Sequence, residues 1–277
     1  MTLFEKILYS LDAKMTTPTL YGTFHIISLL LVVFVTAFLI LKFRNASDKT
    51  FRRIVLVFWI IILLLEIYKQ INYTFRYNDG DPYWDYQWYI FPFQFCSTPM
   101  YALPMVAFLP RGKVRNAFIA FLCYFSLVAG IAVVLYPADV FIETIGINIQ
   151  TMIHHGSQVA LGIYFAVHKR KEISIKFLTS GVLVLLGFIA TAVLLNVVFY
   201  NWMSSVGIDE TFNMFYISPY YNSTLPVFSA LQPLLPYPIF LFLYIFAMLV
   251  GGFVVLALQK AIVTFSKKSG NPNEDKA

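Results

Sequence analysis

The sequence predicts an all-α polytopic membrane protein of seven transmembrane helices, with its N-terminus outside and its C-terminus inside. Three observations carry this. Only 12% of the 277 residues are charged and 59% are hydrophobic, where a soluble domain carries about 25% charged residues. The apolar residues fall in long runs of the length that crosses a bilayer. Sixteen of the twenty Lys and Arg residues lie in every second connection or in the C-terminal tail, which marks those connections as cytoplasmic. The net charge of +6 is thereby read as a topology signal, and nucleic acid is excluded as a partner.

Residues 1–21 hold Glu5, Lys6, Asp12 and Lys14, with no apolar core behind a basic start, so they read as an outer segment and not as a cleavable signal. The first span, 22–43, carries His25 near its outer end. The connection behind it is basic: Lys42, Arg44, Lys49, Arg52, Arg53. The second span, 54–75, places Glu66, Lys69 and Gln70 on one face, three and four residues apart. Asp79, Asp81 and Asp85 follow on the outer side. Tyr83, Trp84, Tyr86, Trp88 and Tyr89 there suit an interfacial aromatic belt.

The third span, 89–109, contains "FPFQFCSTPMYALP" at 91–104. Pro92, Pro99 and Pro104 each remove a backbone donor and break the helix. Freed carbonyls at membrane depth are tolerated only when buried in protein or lining a water-filled cavity. A broken helix wrapped by others is therefore expected, presenting Gln94 and Cys96. An inner loop follows with Arg111, Lys113 and Arg115, and then the apolar fourth span, 116–136, with Cys123. The two cysteines should lie roughly 10 Å apart along the helix axes, and bonded cysteines need Cα atoms about 4.4–6.8 Å apart, so both thiols are read as free. The fifth span, 144–168, bears a stripe of Gln150, Thr151, His154, Ser157 and Gln158, with His155 on the face of Thr151 and Val159. The sixth, 175–200, carries Asn196 near its outer end. The outer loop behind it holds Trp202, Asp209, Glu210 and the aromatic stretch Tyr216–Tyr221. The seventh is 236–262, within a transmembrane domain of 22–262, and 263–277 is expected to be a disordered cytoplasmic tail.

Helices running in both directions thus place polar groups in the middle-to-outer part of the membrane. Buried Gln150, Ser157 and Gln158 fit interhelical hydrogen bonding, worth about 0.6 kcal/mol each, as well as they fit a site. A cysteine with an adjacent histidine pair at similar depth points to a cavity open outward, since a thiol becomes a nucleophile beside a base or a positive field. The catalytic candidates are Cys96, His154 and His155, with His25, Glu66, Lys69, Gln94, Gln150, Asn196 and Asn213 in supporting or substrate-binding places. Several of these are metal-ligand types, yet no metal spacing, phosphate loop or serine elbow occurs, so no metal and no cofactor is expected.

"YGTFHIISLL" around His25, "FPFQFCS" around Cys96, "IQTMIHHG" before Ser157, and "FNMFYISP" with the later "LPYP" together resemble the YwaF-like, transmembrane-protein-164-like family of multi-pass proteins over roughly residues 20 to 250. Family members commonly carry a histidine where this chain has Gln94, and the family's His-Gly ending resembles His155-Gly156, which favours His155 where the stripe favours His154. The resemblance implies acyl-chain transfer between phospholipids by a Cys/His pair, with a phospholipid or lysolipid as partner in the cell membrane. No protein partner is indicated. The rival expectation is a transporter or small-solute binding protein, because broken helices and intramembrane ion pairs occur there too.

Overall fold

The computed structural model of the chain describes residues 2–78 and 81–269. Asp79, expected on the outer side, and tail residues 270–277 lie outside the described residues. The architecture is helical: α1 (Leu3–Leu11), α2 (Thr23–Phe43), α3 (Asp48–Thr74), α4 (Pro99–Phe108), α5 (Lys113–Phe121), α6 (Leu127–Leu135), α7 (Ile145–His168), α8 (Ile175–Val206), α9 (Phe228–Leu231) and α10 (Tyr237–Ser269). Among the described residues, five helical stretches are long and apolar enough to cross a membrane: α2, α3, the α5–α6 unit from Lys113 to Leu135, α8 and α10. The short α4 and the polar α7 are not among them.

The boundaries carry their own reasons. Helix α3 starts early because the Ser47 hydroxyl accepts from the Thr50 amide, a side-chain cap that satisfies one of the unpaired first-turn amides. Helix α8 ends where Gly207 adopts φ 74°, the left-handed conformation that glycine takes without Cβ strain. Several elements were not foreseen. Residues 3–11, expected only as an outer segment, form a helix closed by a reciprocal cap between Thr2 and Glu5. Phe75–Asn78 and Asp81–Trp84 pair as an antiparallel hairpin in a chain expected to be all-α. Between α5 and α6, Leu122–Ser126 form a π-helical turn, which hydrophobic periodicity does not report.

The chain runs back and forth between two ends that hydrogen bonds define. At the acidic end, Tyr68 donates to Leu11 O at 2.8 Å, Lys14 to the Thr144 hydroxyl at 3.1 Å, and the Trp88 amide to Glu210 at 3.1 Å. At the basic end, Asp48 pairs with Arg115 at 2.6 Å, Arg52 at 2.8 Å and Arg111 at 3.2 Å. Arg115 and Arg52 also donate to the carbonyls of Val106, Ala107 and Leu109. Those carbonyls close α4, where the last four have no intrahelical partner, so the arginines supply both hydrogen bonds and the positive charge a helix C-terminus favours. Burial raises the Asp48 carboxyl, but the hydrogen bonds and charges of Arg52, Arg115 and Arg111 outweigh it and hold the group well below the usual carboxylate range.

Helix α7 is the central element. Its polar residues Asn148, Gln150, Thr151, His154, His155, Ser157 and Gln158 are all buried. It packs against α2, α3, α6 and the π-turn. At Gly130 of α6 an added Cβ would stand 2.7 Å from Gln158 Cβ and 2.9 Å from His155 O, so this glycine sets how closely α6 meets α7. Small residues let membrane helices approach in this way.

Candidate functional site

The site is built on the broken third segment. Three prolines and the turns between them strip its backbone of intrahelical partners, and other helices supply replacements. Gln70 donates to Ile90 O at 2.8 Å. The Tyr101 hydroxyl donates to Pro92 O at 2.7 Å. His154 Nε2 and Gln158 Nε2 both donate to Cys96 O, at 2.8 and 2.7 Å. Trp59 Nε1 donates to Met100 O at 2.9 Å, the carbonyl whose helical donor would be residue 104, a proline with no N–H. Polar groups of α3 and α7 thus have backbone carbonyls of the broken segment as their partners.

Gln94 faces another way. Its amide donates to Asn213 O at 3.0 Å and accepts from the Phe215 amide at 2.9 Å. Asn196 binds both backbone groups of Met214, donating at 3.0 Å and accepting at 2.7 Å. Asn213 accepts from the Ser218 amide and donates to Asn222 O. Three residues expected near a substrate therefore knit the loop 209–222 onto the bundle. The loop is held in a costly shape: Phe215 and Tyr216 have φ of 60° and 56°, and the left-handed region costs a residue with a Cβ about 1–2 kcal/mol. Ring contacts help hold it, with Phe215 stacked on Phe93 at 5.7 Å and edge-on to Phe95 at 5.3 Å. Alternate residues of "FPFQF" thus clamp the loop by rings while Gln94 clamps its backbone.

His25 is also fully engaged. Nδ1 accepts from the Tyr21 amide at 2.9 Å, which obliges Nε2 to carry the proton it gives to Val134 O at 2.8 Å. The ring ties the start of α2 to the end of α6, apart from Cys96.

What remains around Cys96 is a compact polar group. Glu66 takes Lys69 at 2.8 Å and Gln70 at 2.8 Å on one carboxylate oxygen; the other is buried without a partner. Toward the acidic end, burial and then the Glu66 charge push the Tyr86 hydroxyl up to about 12. His155 Nδ1 is bonded to Thr151 O at 2.8 Å, and its ring stands edge-on to His154 with centroids 5.4 Å apart. Gln150 is buried on the same helix.

His154 differs from the other two. Because Nε2 faces a carbonyl, it carries the ring proton, and Nδ1 keeps its lone pair, buried and unpartnered. Gln158 Oε1 is likewise buried without a donor. Among the described residues no hydrogen bond joins the thiol to either histidine. Cys123 donates to Gly162 O at 3.6 Å and receives Gln259 at 3.7 Å; it is a separate, buried thiol. Away from His154, α2, α3 and α7 border an apolar groove of about 370 Å³, in which Ile27, Leu31, Phe58 and Met152 line the walls next to Gly156 and Ser157. No group of three or more His, Cys, Asp or Glu residues able to hold a metal occurs among the described residues.

Sequence reasoning missed Trp59, Tyr101 and Asn148. The last accepts from the Ile142 amide and donates to its carbonyl, fixing the approach to α7. Pro104 was the available signal for Trp59, since a proline inside a buried helix leaves the carbonyl four residues back in need of a donor.

The chain matches the model of the TMEM164 family over residues 20–256 and belongs to that family of transmembrane proteins. No curated protein and no solved structure matches it.

Proposed function

We propose that this TMEM164-family chain crosses the cell membrane seven times, N-terminus outside and C-terminus inside, and is a lipid-remodelling acyltransferase with Cys96 as nucleophile and His154 as base. The observation that carries this reading is the docking of His154. One ring nitrogen binds the carbonyl of Cys96 itself, and the other keeps a buried lone pair with nothing to accept.

The chemistry balances with this chain's residues. His154 Nδ1 takes the thiol proton as the Cys96 sulfur attacks the ester carbonyl of a phospholipid. The carbon–oxygen bond to glycerol breaks, and the departing alkoxide takes the proton back, leaving an acyl thioester. A lysolipid hydroxyl then gives its proton to the same nitrogen and attacks the thioester carbonyl. The thiolate leaves and regains a proton from the imidazolium. The first transfer requires the thiol to turn toward the ring, and catalytic hydrogen bonds commonly tighten only when substrate is bound.

The transporter reading is less favoured. A broken transporter helix offers free carbonyls to its ions, whereas Ile90, Pro92, Cys96 and Met100 already accept from protein donors. The test is transfer of a labelled chain from phosphatidylcholine to a lysolipid by the purified protein in vesicles. Cys96→Ala should abolish transfer and the mass of an acyl-enzyme; Cys96→Ser should leave a small residue; His154→Ala should slow it by roughly 10²–10⁴-fold. A fully active Cys96→Ala protein refutes the thiol mechanism. A silent Cys96→Ser with a severe Glu66→Gln would favour transport. For orientation, labelling of K113C by an impermeant reagent outside intact cells would overturn the topology.

A further inference from the structure

Two cavities meet at Arg170. One is an apolar groove of about 540 Å³ on the surface formed by α6, α7 and α10, with Ile131, Ala166, Leu258 and Ile262 in its walls and Arg170 among its few polar residues. The other is a polar cavity of about 360 Å³ at the basic end, bordered by Arg44, Lys169, Arg170 and Lys171. Arg170 lines both.

Charge in the polar cavity is unbalanced. Its one carboxylate, Glu172, is engaged by Lys169 at 2.8 Å and by Asn116 at 2.9 Å. Among the described residues no carboxylate pairs with Arg44, Arg170 or Lys171. The Arg170 guanidinium makes only long contacts, 3.3 Å to Asn45 Oδ1 from both terminal nitrogens and 3.3 Å to Val167 O, against about 2.9 Å for a well-formed bond. A guanidinium fork in this condition suits bidentate capture of a phosphate. The adjoining groove is apolar, its exposed wall formed by Leu258 and Ile262. Phosphate and acyl chain joined in one molecule describe a phospholipid, and the excess of cations selects an anionic one. Basic pockets between membrane helices on the cytoplasmic side bind such headgroups.

We propose that the basic end carries a binding site for an anionic glycerophospholipid, with its phosphate on Arg170 and Arg44 and one acyl chain along α10 in the groove. The site is separate from Cys96, and its test does not use acyl transfer.

The experiment is native mass spectrometry of the full-length protein in detergent, titrated with dioleoyl phosphatidylglycerol or dioleoyl phosphatidylcholine, with and without inorganic phosphate. Tight retention of the anionic lipid over the zwitterionic one is expected. The double variant Arg44→Gln, Arg170→Gln should weaken it roughly thirtyfold, or about 2 kcal/mol at 1.4 kcal/mol per tenfold. Lys113→Gln, a basic residue lining neither cavity, should leave it unchanged. Leu258→Trp should fill the groove and weaken retention with no loss of charge. Equal retention of the two lipids overturns the proposal, as does an unaffected double variant. If millimolar inorganic phosphate displaces the lipid fully and Leu258→Trp has no effect, the cavity binds free phosphate and the lipid assignment fails. Unfolding temperatures of the lipid-free variants, expected to match the parent, separate lost binding from lost fold.

Discussion

Replacing Trp59 by Phe should destabilise the protein because of a proline forty-five residues away. Met100 O accepts the Trp59 indole N–H at 2.9 Å, and its ordinary helical donor is missing because residue 104 is proline. The Phe variant keeps a ring but leaves the carbonyl unpaired, which costs about 1–3 kcal/mol; part of the edge-on contact with Phe108 is lost as well. Pro104→Ala returns a backbone N–H four residues after Met100. In that background Trp59→Phe should lose only the contact, so a double-mutant cycle should show coupling of about 1–2 kcal/mol. The assay is equilibrium unfolding in mixed micelles across a denaturant series. A second readout is the alkylation rate of Cys96, four residues from Met100: it should rise in the single variant and return toward parent in the double. Equal cost of Trp59→Phe in both backgrounds refutes the account of how the broken segment is satisfied.

Three further outcomes are expected. Asn196→Leu leaves the Met214 amide unpaired and its carbonyl with only the Ile217 amide at 3.4 Å, at about 1–3 kcal/mol, and hydrogen exchange across 209–222 should accelerate; unchanged exchange rejects the clamp. Gly130→Ala drives a methyl group against Gln158 and His155 and should cost about 1–3 kcal/mol by overpacking; a melting temperature within error of parent would deny the close approach. For Asp48, the folded carboxyl lies below its unfolded value, so its contribution is full above about pH 4 and drains as pH falls toward the folded value. Acid titration of stability should therefore show a loss below about pH 4 that Asp48→Asn reduces, and identical acid profiles would be evidence against the cluster.

Composition, run length and the placement of basic residues determined that this is a helical membrane protein, because a bilayer imposes length and polarity on each segment separately and those are local properties. The proline spacing of "FPFQFCSTPMYALP" determined that the third segment is broken, again a local steric effect. That both cysteines stay free was legible from their positions on the spans. Partner choice was not. A stripe of polar residues says that a helix face meets something polar, not whether that is a ligand or a neighbour's backbone. Only the tertiary arrangement showed that Gln94, Asn196 and Asn213 hold a loop, that His25 joins α2 to α6, and that the face of α7 carrying His154 and Gln158 meets the carbonyl of Cys96. His154 and His155 also differ in partner for a reason no single segment contains. Both are buried, but His155 returns a hydrogen bond to its own helix at Thr151, while His154 reaches across to the neighbouring segment. Such pairings depend on which backbone groups the breaks expose and which helix lies opposite, and that is a property of the packed bundle and not of any segment within it.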